Sequence, residues 1–127
     1  MMKKKILALE DAPSIQKILE MVLNKDYEII TKNDGQEGLE WLQEGNNPDL
    51  IISDVNMPNI SGEDFLKQIK VSALFKDIPV IMLSGIENSA ERIKMLKLGA
   101  DDYMIKPFNP EELKLKIEIL LSRVANG

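Results

Sequence analysis

The chain has 127 residues with no cysteine and no histidine, and its 16 basic and 21 acidic side chains give a formal net charge of −5. The length predicts one domain over residues 1–127, and the missing residue types exclude disulfides, thiolate catalysis, the usual zinc sites and a phosphohistidine on this chain. The acidic balance argues against a nucleic-acid partner. Because the chain has neither a long apolar run nor a signal-peptide pattern, we expect a cytoplasmic protein with no membrane insertion.

Strand and helix patterns alternate along the chain in five pairs. The apolar run at residues 6–9 is typical of a strand covered on both faces, whereas residues 27–32 are more polar and predict an edge strand. Pro13 suits the first turn of a helix, and Gly99 is a helix stop. The predicted strands cover residues 6–9, 27–32, 50–52, 79–83 and 102–106, and the predicted helices begin near residues 13, 34, 62, 89 and 110.

Five strand–helix units with short connections predict a doubly wound α/β fold, in which helices cover both faces of a five-stranded parallel sheet. Apolar residues at helical spacing mark the core-facing sides of three helices. They are Ile15, Ile18, Leu19, Val22 and Leu23 in the first helix, Phe65, Leu66 and Ile69 in the third, and Leu113, Ile117, Leu120, Leu121 and Val124 in the fifth. Trp41 lies off the apolar side of the second helix, and we expect it to be partly buried against a neighbouring loop.

Chemically complementary side chains follow the strands at their carboxyl ends, where open parallel sheets bind ligands. Glu10 and Asp11 follow the first strand, Asp54 the third, Ser84 the fourth and Lys106 the fifth. If the first and third strands are neighbours, three carboxylates share one pocket. Two carboxylates about 4 Å apart repel by about 4 kcal/mol at an effective dielectric of roughly 20, so the site protonates one of them or holds a hard cation such as Mg²⁺. Together with the lysine and the hydroxyl, this set favours phosphoryl transfer to an aspartate.

These positions carry four motifs that resemble the receiver domain of two-component response regulators. Glu10-Asp11 matches the acidic pair of that family, and Asp54-Val55-Asn56-Met57-Pro58, followed by Gly62, resembles its phosphoacceptor loop. Ser84-Gly85 matches its hydroxyl position, and residues 101–108, with the sequence DDYMIKPF, resemble its last-strand motif. The resemblance covers the whole chain. It implies a flavodoxin-like fold with strand order 2-1-3-4-5 and a cis peptide bond before Pro107.

The resemblance implies a phosphoacceptor and a metal site. Asp54 accepts a phosphoryl group from a phosphohistidine on a sensor histidine kinase or a histidine phosphotransfer protein. Glu10, Asp11, Asp54 and the backbone carbonyl of Asn56 hold Mg²⁺, for which Mn²⁺ can substitute, and Asp11 is the more direct ligand of the acidic pair. Lys106 neutralises the phosphoryl oxygens. The chain is then a signalling switch rather than a metabolic enzyme, since it catalyses only its own phosphorylation and dephosphorylation.

Ser84 and Tyr103 are the implied switch residues. Ser84 swings in to hydrogen-bond the phosphate, and Tyr103 rotates toward the space that the serine leaves. Two positions depart from the family's commonest residues: Glu10 replaces an aspartate, which lengthens one arm, and Ser84 replaces a threonine, which removes a methyl group. Both substitutions keep the chemistry of the position. We expect them to alter metal affinity or phosphate lifetime.

The resemblance places the readout of the switch on the fourth helix, the fifth strand and the fifth helix. We projected the fourth helix at about 100° per residue. Ile93, Leu96 and Ala100 then share one side of the helix, and Met95 and Leu98 lie on another side. On the fifth helix, two apolar residues lie opposite the core-facing side. We therefore predict an exposed partner face for a downstream protein, or for a second copy of the chain on phosphorylation, formed by Met95, Leu98, Leu115 and Ile119.

Two other interpretations remain open at this point. A flavodoxin-like cofactor protein would share the strand order, but its first loop needs a turn that cradles a phosphate, and here that loop reads Glu10-Asp11-Ala12-Pro13-Ser14. A phosphate-independent receiver-like interaction module is disfavoured by the intact set of Asp11, Asp54, Ser84 and Lys106. The chain is expected to be either a stand-alone receiver or a domain excised from a longer regulator or hybrid kinase.

Overall fold

The fold comes from a computed structural model that describes residues 3–126, with side chains described up to residue 123. Strands and helices alternate from β1 to α5, as the sequence predicts. The strands are β1 (Lys4–Leu9), β2 (Tyr27–Lys32), β3 (Leu50–Asp54), β4 (Val80–Ser84) and β5 (Asp102–Ile105). The helices are α1 (Pro13–Leu23), α2 (Gly35–Gln43), α3 (Gly62–Lys70), α4 (Ser89–Lys97) and α5 (Pro110–Asn126).

All strand pairs are parallel, and the strand order β2-β1-β3-β4-β5 confirms the predicted sheet. The more polar β2 lies at one edge, also as predicted. The pairing register sets Leu9 beside Ser53, Asp54 beside Leu83 and Ser84 beside Ile105. The carboxyl ends of β1, β3, β4 and β5 therefore line up along one edge of the sheet.

Side-chain caps begin the three helices α2, α3 and α4. The N-cap residues Asp34, Ser61 and Asn88 each accept a hydrogen bond from the backbone amide three residues later, which satisfies an amide that the helix itself leaves unpaired. Gly99, with φ of +113°, ends α4 in the left-handed region that favours glycine. These local signals fix the helix boundaries and so the loops that carry the site.

Two apolar cores lie on opposite faces of the sheet. One packs α2, α3 and α4 against residues such as Leu7 and Ile51, and the other packs α1 and α5 against residues such as Ile6 and Ile52. The predicted inward residues of α3 are fully buried, and those of α5 are buried up to Leu121. Ile18 was predicted inward but is 44% exposed. Val124 lies outside the residues whose side chains are described.

The prediction for the outward side of α4 is wrong. Met95 is 1% exposed and part of a core, and Leu98 packs against the same core. Ile93 and Leu96 face outward instead, at 47% and 39% exposure. The projection failed because it extended the helix to Ala100, which lies beyond the end of α4 after the turn at Gly99.

Two smaller predictions concern other surfaces. Trp41 is partly buried, as expected, and it packs against the core of its own face. Leu115 and Ile119 are exposed on α5, at 56% and 41%. No helix within residues 3–126 combines the length and the apolar character needed to cross a membrane.

Candidate functional site

The predicted acidic residues meet at the carboxyl edge of the sheet. Glu10, Asp11 and Asp54 each offer a carboxylate oxygen, and these oxygens lie within 4.8 Å of one another. They come together because β1 and β3 are hydrogen-bonded neighbours. Glu10 and Asp54 are buried, at 1% and 4% exposure, whereas Asp11 is exposed at the mouth of the pocket.

Lys106 reaches into this cluster from the end of β5. Its Nζ lies 3.1 Å from Oε1 of Glu10 and 3.3 Å from Oδ1 of Asp54. The other oxygen of Glu10 accepts a hydrogen bond from the backbone amide of Ala12 at 3.1 Å. Both oxygens of Glu10 therefore have partners within the protein, and the exposed Asp11 is the freer of the two carboxylates of the acidic pair. The peptide bond between Lys106 and Pro107 is cis, as the resemblance implied.

Burial controls the ionisation of the buried carboxylates. Burial raises the pKa of Asp54 above its ordinary value, although Lys106 and the backbone amide of Asn56 act in the opposite direction. Burial likewise raises the pKa of Glu10, and the charge of Asp54 adds to that effect. For Lys106, burial lowers the pKa, but the nearby carboxylates of Glu10 and Asp54 outweigh it and the net pKa is raised. Lys106 therefore stays charged, but its one positive charge does not balance the three carboxylates of the pocket.

The two implied switch residues lie close enough that the hydroxyl of Ser84 acts to lower the pKa of Tyr103, and each has a hydrogen bond to another partner in this conformation. Ser84 is fully buried, and its hydroxyl donates to the backbone carbonyl of Ile86 at 3.2 Å and accepts from the backbone amide of Ile86 at 3.3 Å. Tyr103 is 7% exposed, and its hydroxyl donates to the carboxylate of Glu91 on α4. Burial, followed by the bond to Glu91, raises the pKa of Tyr103.

The loop between β3 and α3 closes tightly over Asp54. The amide of Gly62 donates to the carbonyl of Val55 at 2.8 Å, and the backbone amide of Asn56 acts to lower the pKa of the Asp54 carboxyl. A Cβ at position 62 would lie 2.1 Å from the carbonyl oxygen of Asp54, so only glycine fits there. Gly62 belongs to the sequence motif of this loop, but from the sequence it was predicted only to lie at the start of a helix or turn.

Sequence reasoning missed a second contact of this loop. Asp34, which is 5% exposed, caps α2 through the amide of Glu37 at 2.9 Å and accepts a 2.6 Å hydrogen bond from Nδ2 of Asn59. Asn59 has φ of +66°, a conformation that asparagine tolerates better than most residues. The sequence indicated Asp34 only as a helix start. Its pairing with a residue 25 positions away has no local signal.

The donor set fits a divalent hard cation. Three carboxylates converge with an exposed opening at Asp11, and the Asn56 carbonyl belongs to the loop that borders Asp54. Oxygen donors without histidine or cysteine suit Mg²⁺, which keeps several waters and uses few carboxylates. The same chemistry would attract Mn²⁺, which also prefers oxygen ligands.

Comparison with known proteins identifies relatives along nearly the full chain. Residues 6–118 match the family model of the response regulator receiver domain. The "Probable transcriptional regulator ycf27" of Cyanophora paradoxa is 43% identical over 125 residues, which cover 98% of this chain and 51% of that protein. The chain thus spans about half the length of this curated relative.

Solved structures give the same result. The receiver domain of the Francisella response regulator 1452 superposes with a TM-score of 0.88 at 32% identity, covering 96% of this chain and 99% of that one. The receiver domain of sensor histidine kinase PA1611 from Pseudomonas aeruginosa PAO1 superposes with a TM-score of 0.85 at 26% identity, covering 94% and 98% of the two chains. That structure has a magnesium ion coordinated in its active-site cleft.

Proposed function

Because this chain belongs to the response regulator receiver domain family, we propose that it is a signalling switch that is phosphorylated on Asp54. The donor is a phosphohistidine on a sensor histidine kinase or a histidine phosphotransfer protein. The observation that carries the proposal is the contact of Lys106 with Asp54 at 3.3 Å, inside a cluster of carboxylates at one sheet edge. Signalling, rather than metabolic catalysis, is the role of this family.

The transfer itself needs little beyond positioning and charge. An oxygen of the Asp54 carboxylate forms a bond to phosphorus, and the bond between phosphorus and the imidazole nitrogen of the donor breaks. The leaving imidazole keeps the electron pair and takes up a proton from solvent. Lys106, already 3.3 Å from Asp54, neutralises the incoming phosphoryl oxygens.

The metal would be held by Asp11, Asp54 and the carbonyl of Asn56, with Glu10 supporting the site. Bound Mg²⁺ supplies positive charge to the transferring phosphoryl group. The magnesium found in the related PA1611 receiver domain supports this assignment, as does the convergence of the three carboxylates within 4.8 Å. Glu10 is occupied by Lys106 and the amide of Ala12, so we infer that it orients the cluster more than it binds the ion.

The output follows from the positions of Ser84 and Tyr103. When the hydroxyl of Ser84 leaves Ile86 to bond the phosphate, the ring of Tyr103, which is already buried in this conformation, shifts toward the space beside the serine. Tyr103 is bonded to Glu91 of α4, so its rotation changes a contact of that helix. The signal would then be read on the surface of α4, β5 and α5, where Leu115 and Ile119 are exposed.

The direct test is phosphorylation with acetyl phosphate and Mg²⁺. We expect one added phosphoryl group, stable in acid and labile in base, that is lost in Asp54→Asn and when the metal is chelated. Asp64→Asn, which removes an exposed carboxylate of α3, is the matched control and should be phosphorylated normally. Full phosphorylation of Asp54→Asn, or none of the parent protein at saturating donor and metal, would contradict the proposal and leave the phosphate-independent interaction module.

Metal binding is tested separately by thermal unfolding. A ligand that binds only the folded state stabilises it by about 1.4 kcal/mol at roughly ten times its Kd. We expect Mg²⁺ to raise the Tm of the parent protein and to have a much smaller effect on Asp11→Asn. An equal rise in both proteins would exclude Asp11 as a ligand.

The partner face is tested with the double variant Leu115→Glu and Ile119→Glu. We expect it to be phosphorylated like the parent but to lose the self-association that phosphorylation induces, measured by light scattering. The control places the same two charges at Val71 and Leu74, which are 86% and 81% exposed on another surface. Self-association that survives in the first variant would place the readout elsewhere.

A further inference from the structure

The start of α2 supports the loop that carries Asn56, through side chains that have no part in the chemistry proposed above. The Asp34 carboxylate is fixed in place because one of its oxygens caps α2. Its other oxygen accepts the 2.6 Å bond from Nδ2 of Asn59. Asn59 lies three residues after Asn56, whose carbonyl is a proposed metal ligand. The pair thus joins a buried helix start to an exposed residue of the loop.

Backbone packing reinforces the same contact. A Cβ at Gly35, the first residue of α2, would lie 2.9 Å from the carbonyl oxygen of Ile60, so the two loops touch backbone to backbone. Gly62 in turn packs on the carbonyl of Asp54, where a Cβ would lie at 2.1 Å. The loop is therefore enclosed between the start of α2 and the end of β3. The position of Asn59 depends on one side-chain hydrogen bond and a positive φ.

The turn between β2 and α2 is also linked to the segment that carries Glu10. The amide of Gln16 donates both to the backbone carbonyl of Glu10 and to the side-chain oxygen of Asn33, the second contact at 2.9 Å. Asn33 precedes Asp34 directly, and its backbone amide donates to Glu37 at 3.0 Å. The β2–α2 turn therefore contacts the segment with Glu10 and the loop with Asn56 at once.

We propose that Asp34 and Asn59 are positioning residues for the metal site, and that their hydrogen bond sets the place of the Asn56 carbonyl. The proposal rests on the proposed function, because it presumes that Mg²⁺ is bound there. Residues that orient metal ligands without touching the ion typically change metal affinity by about tenfold or more when they are removed. We expect the same for this pair.

The test compares Asn59→Gly with Asn46→Gly. Glycine tolerates the positive φ at position 59, so the substitution removes the amide without adding backbone strain. Asn46 donates a similar 2.7 Å bond to the carbonyl of Trp41 at the opposite end of α2 and so controls for general loss of stability. We expect the Mg²⁺ Kd, measured from the metal dependence of Tm, to rise about tenfold in Asn59→Gly and to stay unchanged in Asn46→Gly.

A rescue variant separates the hydrogen bond from the added flexibility of glycine. The double substitution Asp34→Asn with Asn59→Asp exchanges donor and acceptor, and asparagine caps helices as well as aspartate does. We expect it to restore the Mg²⁺ Kd to within about twofold of the parent. An unchanged Kd in Asn59→Gly, or a double variant that binds as weakly as that one, overturns the proposal.

A second readout does not need the metal. The amide of Gly62, which donates to Val55 at 2.8 Å, should exchange with solvent faster in Asn59→Gly than in the parent, and at the parent rate in the double variant. If the parent protein shows no stabilisation by Mg²⁺, the proposed metal site fails, and this exchange rate still decides whether the pair holds the loop. Equal exchange in all three proteins removes the positioning role.

Discussion

Helices α3 and α4 have the same length of 9 residues and pack on the same face of the sheet, yet the protein holds them differently. Both begin at a side-chain cap, Ser61 and Asn88. α3 buries Phe65, Leu66 and Ile69 completely, whereas among residues 89–97, all of which the structure describes, Met95 is the buried one. Burial of large apolar side chains contributes about 1.5–3 kcal/mol each, so α3 is anchored far more strongly.

Polar contacts take the place of apolar packing around α4. Glu91 accepts the hydroxyl of Tyr103 from β5, and Lys94 bonds to Glu63 of α3 at 2.9 Å. Such partly exposed contacts contribute little and exchange readily with water. A shift of α4 should therefore cost less free energy than a shift of α3, which lies beside the loop that follows Asp54.

The largest expected difference between the two helices is in their apolar anchors. Phe65→Ala should lower the free energy of unfolding by about 4 kcal/mol and Met95→Ala by about 2 kcal/mol, because the larger buried side chain leaves the larger cavity. Urea denaturation of the two variants measures both values. A Met95→Ala variant as unstable as Phe65→Ala would show that α4 is anchored as firmly as α3.

Two glycines sharpen the contrast: Gly62 is the first residue of α3, and Gly85 lies in the loop between β4 and α4. Gly62→Ala should cost about 2–3 kcal/mol, because the new methyl group collides with the carbonyl of Asp54. Gly85→Ala should stay within about 0.5 kcal/mol of the parent, since a Cβ there meets nothing within 4 Å. Thermal unfolding of both variants is the measurement, and equal losses would contradict the close approach at Gly62.

The contact of α4 with β5 has a smaller expected effect. Tyr103→Phe removes the hydroxyl that Glu91 accepts, and we expect a loss of about 1 kcal/mol. Amide exchange in α4 should become faster, with no change in α3. Faster exchange in both helices would instead indicate a general loss of stability and would remove the distinction between them.

The smallest effect concerns Glu63, which bonds to Lys94 of α4 and to Lys67 of its own helix. Lys94→Met should cost a few tenths of a kcal/mol and speed amide exchange in α4, whereas Lys67→Met should not affect α4. The bond to Lys94, followed by that to Lys67, lowers the pKa of Glu63. The stabilisation is therefore present at neutral pH and is lost as the pH falls through the lowered pKa. An identical amide exchange rate of α4 in both variants would show that the ion pair between Lys94 and Glu63 does not stabilise α4.

The alternation of apolar runs and helical patterns was enough to predict the fold, because parallel strands with short connections leave few topologies. The orientation of α4 was not predictable in the same way. Its apolar residues form two pairs on opposite sides, at positions 93 and 96 and at positions 95 and 98, so periodicity alone does not identify the side that meets the sheet. The end of the helix at Gly99 decides which residues belong to the pattern.

The identities of the site residues were readable because each one follows a strand. Their partners were not, since a hydrogen bond between two loops depends on how the loops pack. Asp34 with Asn59 is one case, and the bond of Ser84 to Ile86 is another. Lys106 was expected beside Asp54 or an incoming phosphoryl group, but its contact with Glu10 at 3.1 Å was not predicted from the sequence.

The position of Lys106 at the end of the last strand also orders events during synthesis. Glu10, Asp11 and Asp54 leave the ribosome long before Lys106, so a partly made chain carries carboxylates without the lysine that contacts two of them in the finished sheet. In the described sheet β5 pairs with β4 alone, so the acidic pocket has its ammonium only once β5 has been made and has paired with β4. Under the proposed function, competence to receive a phosphoryl group would thus require synthesis of the chain through β5.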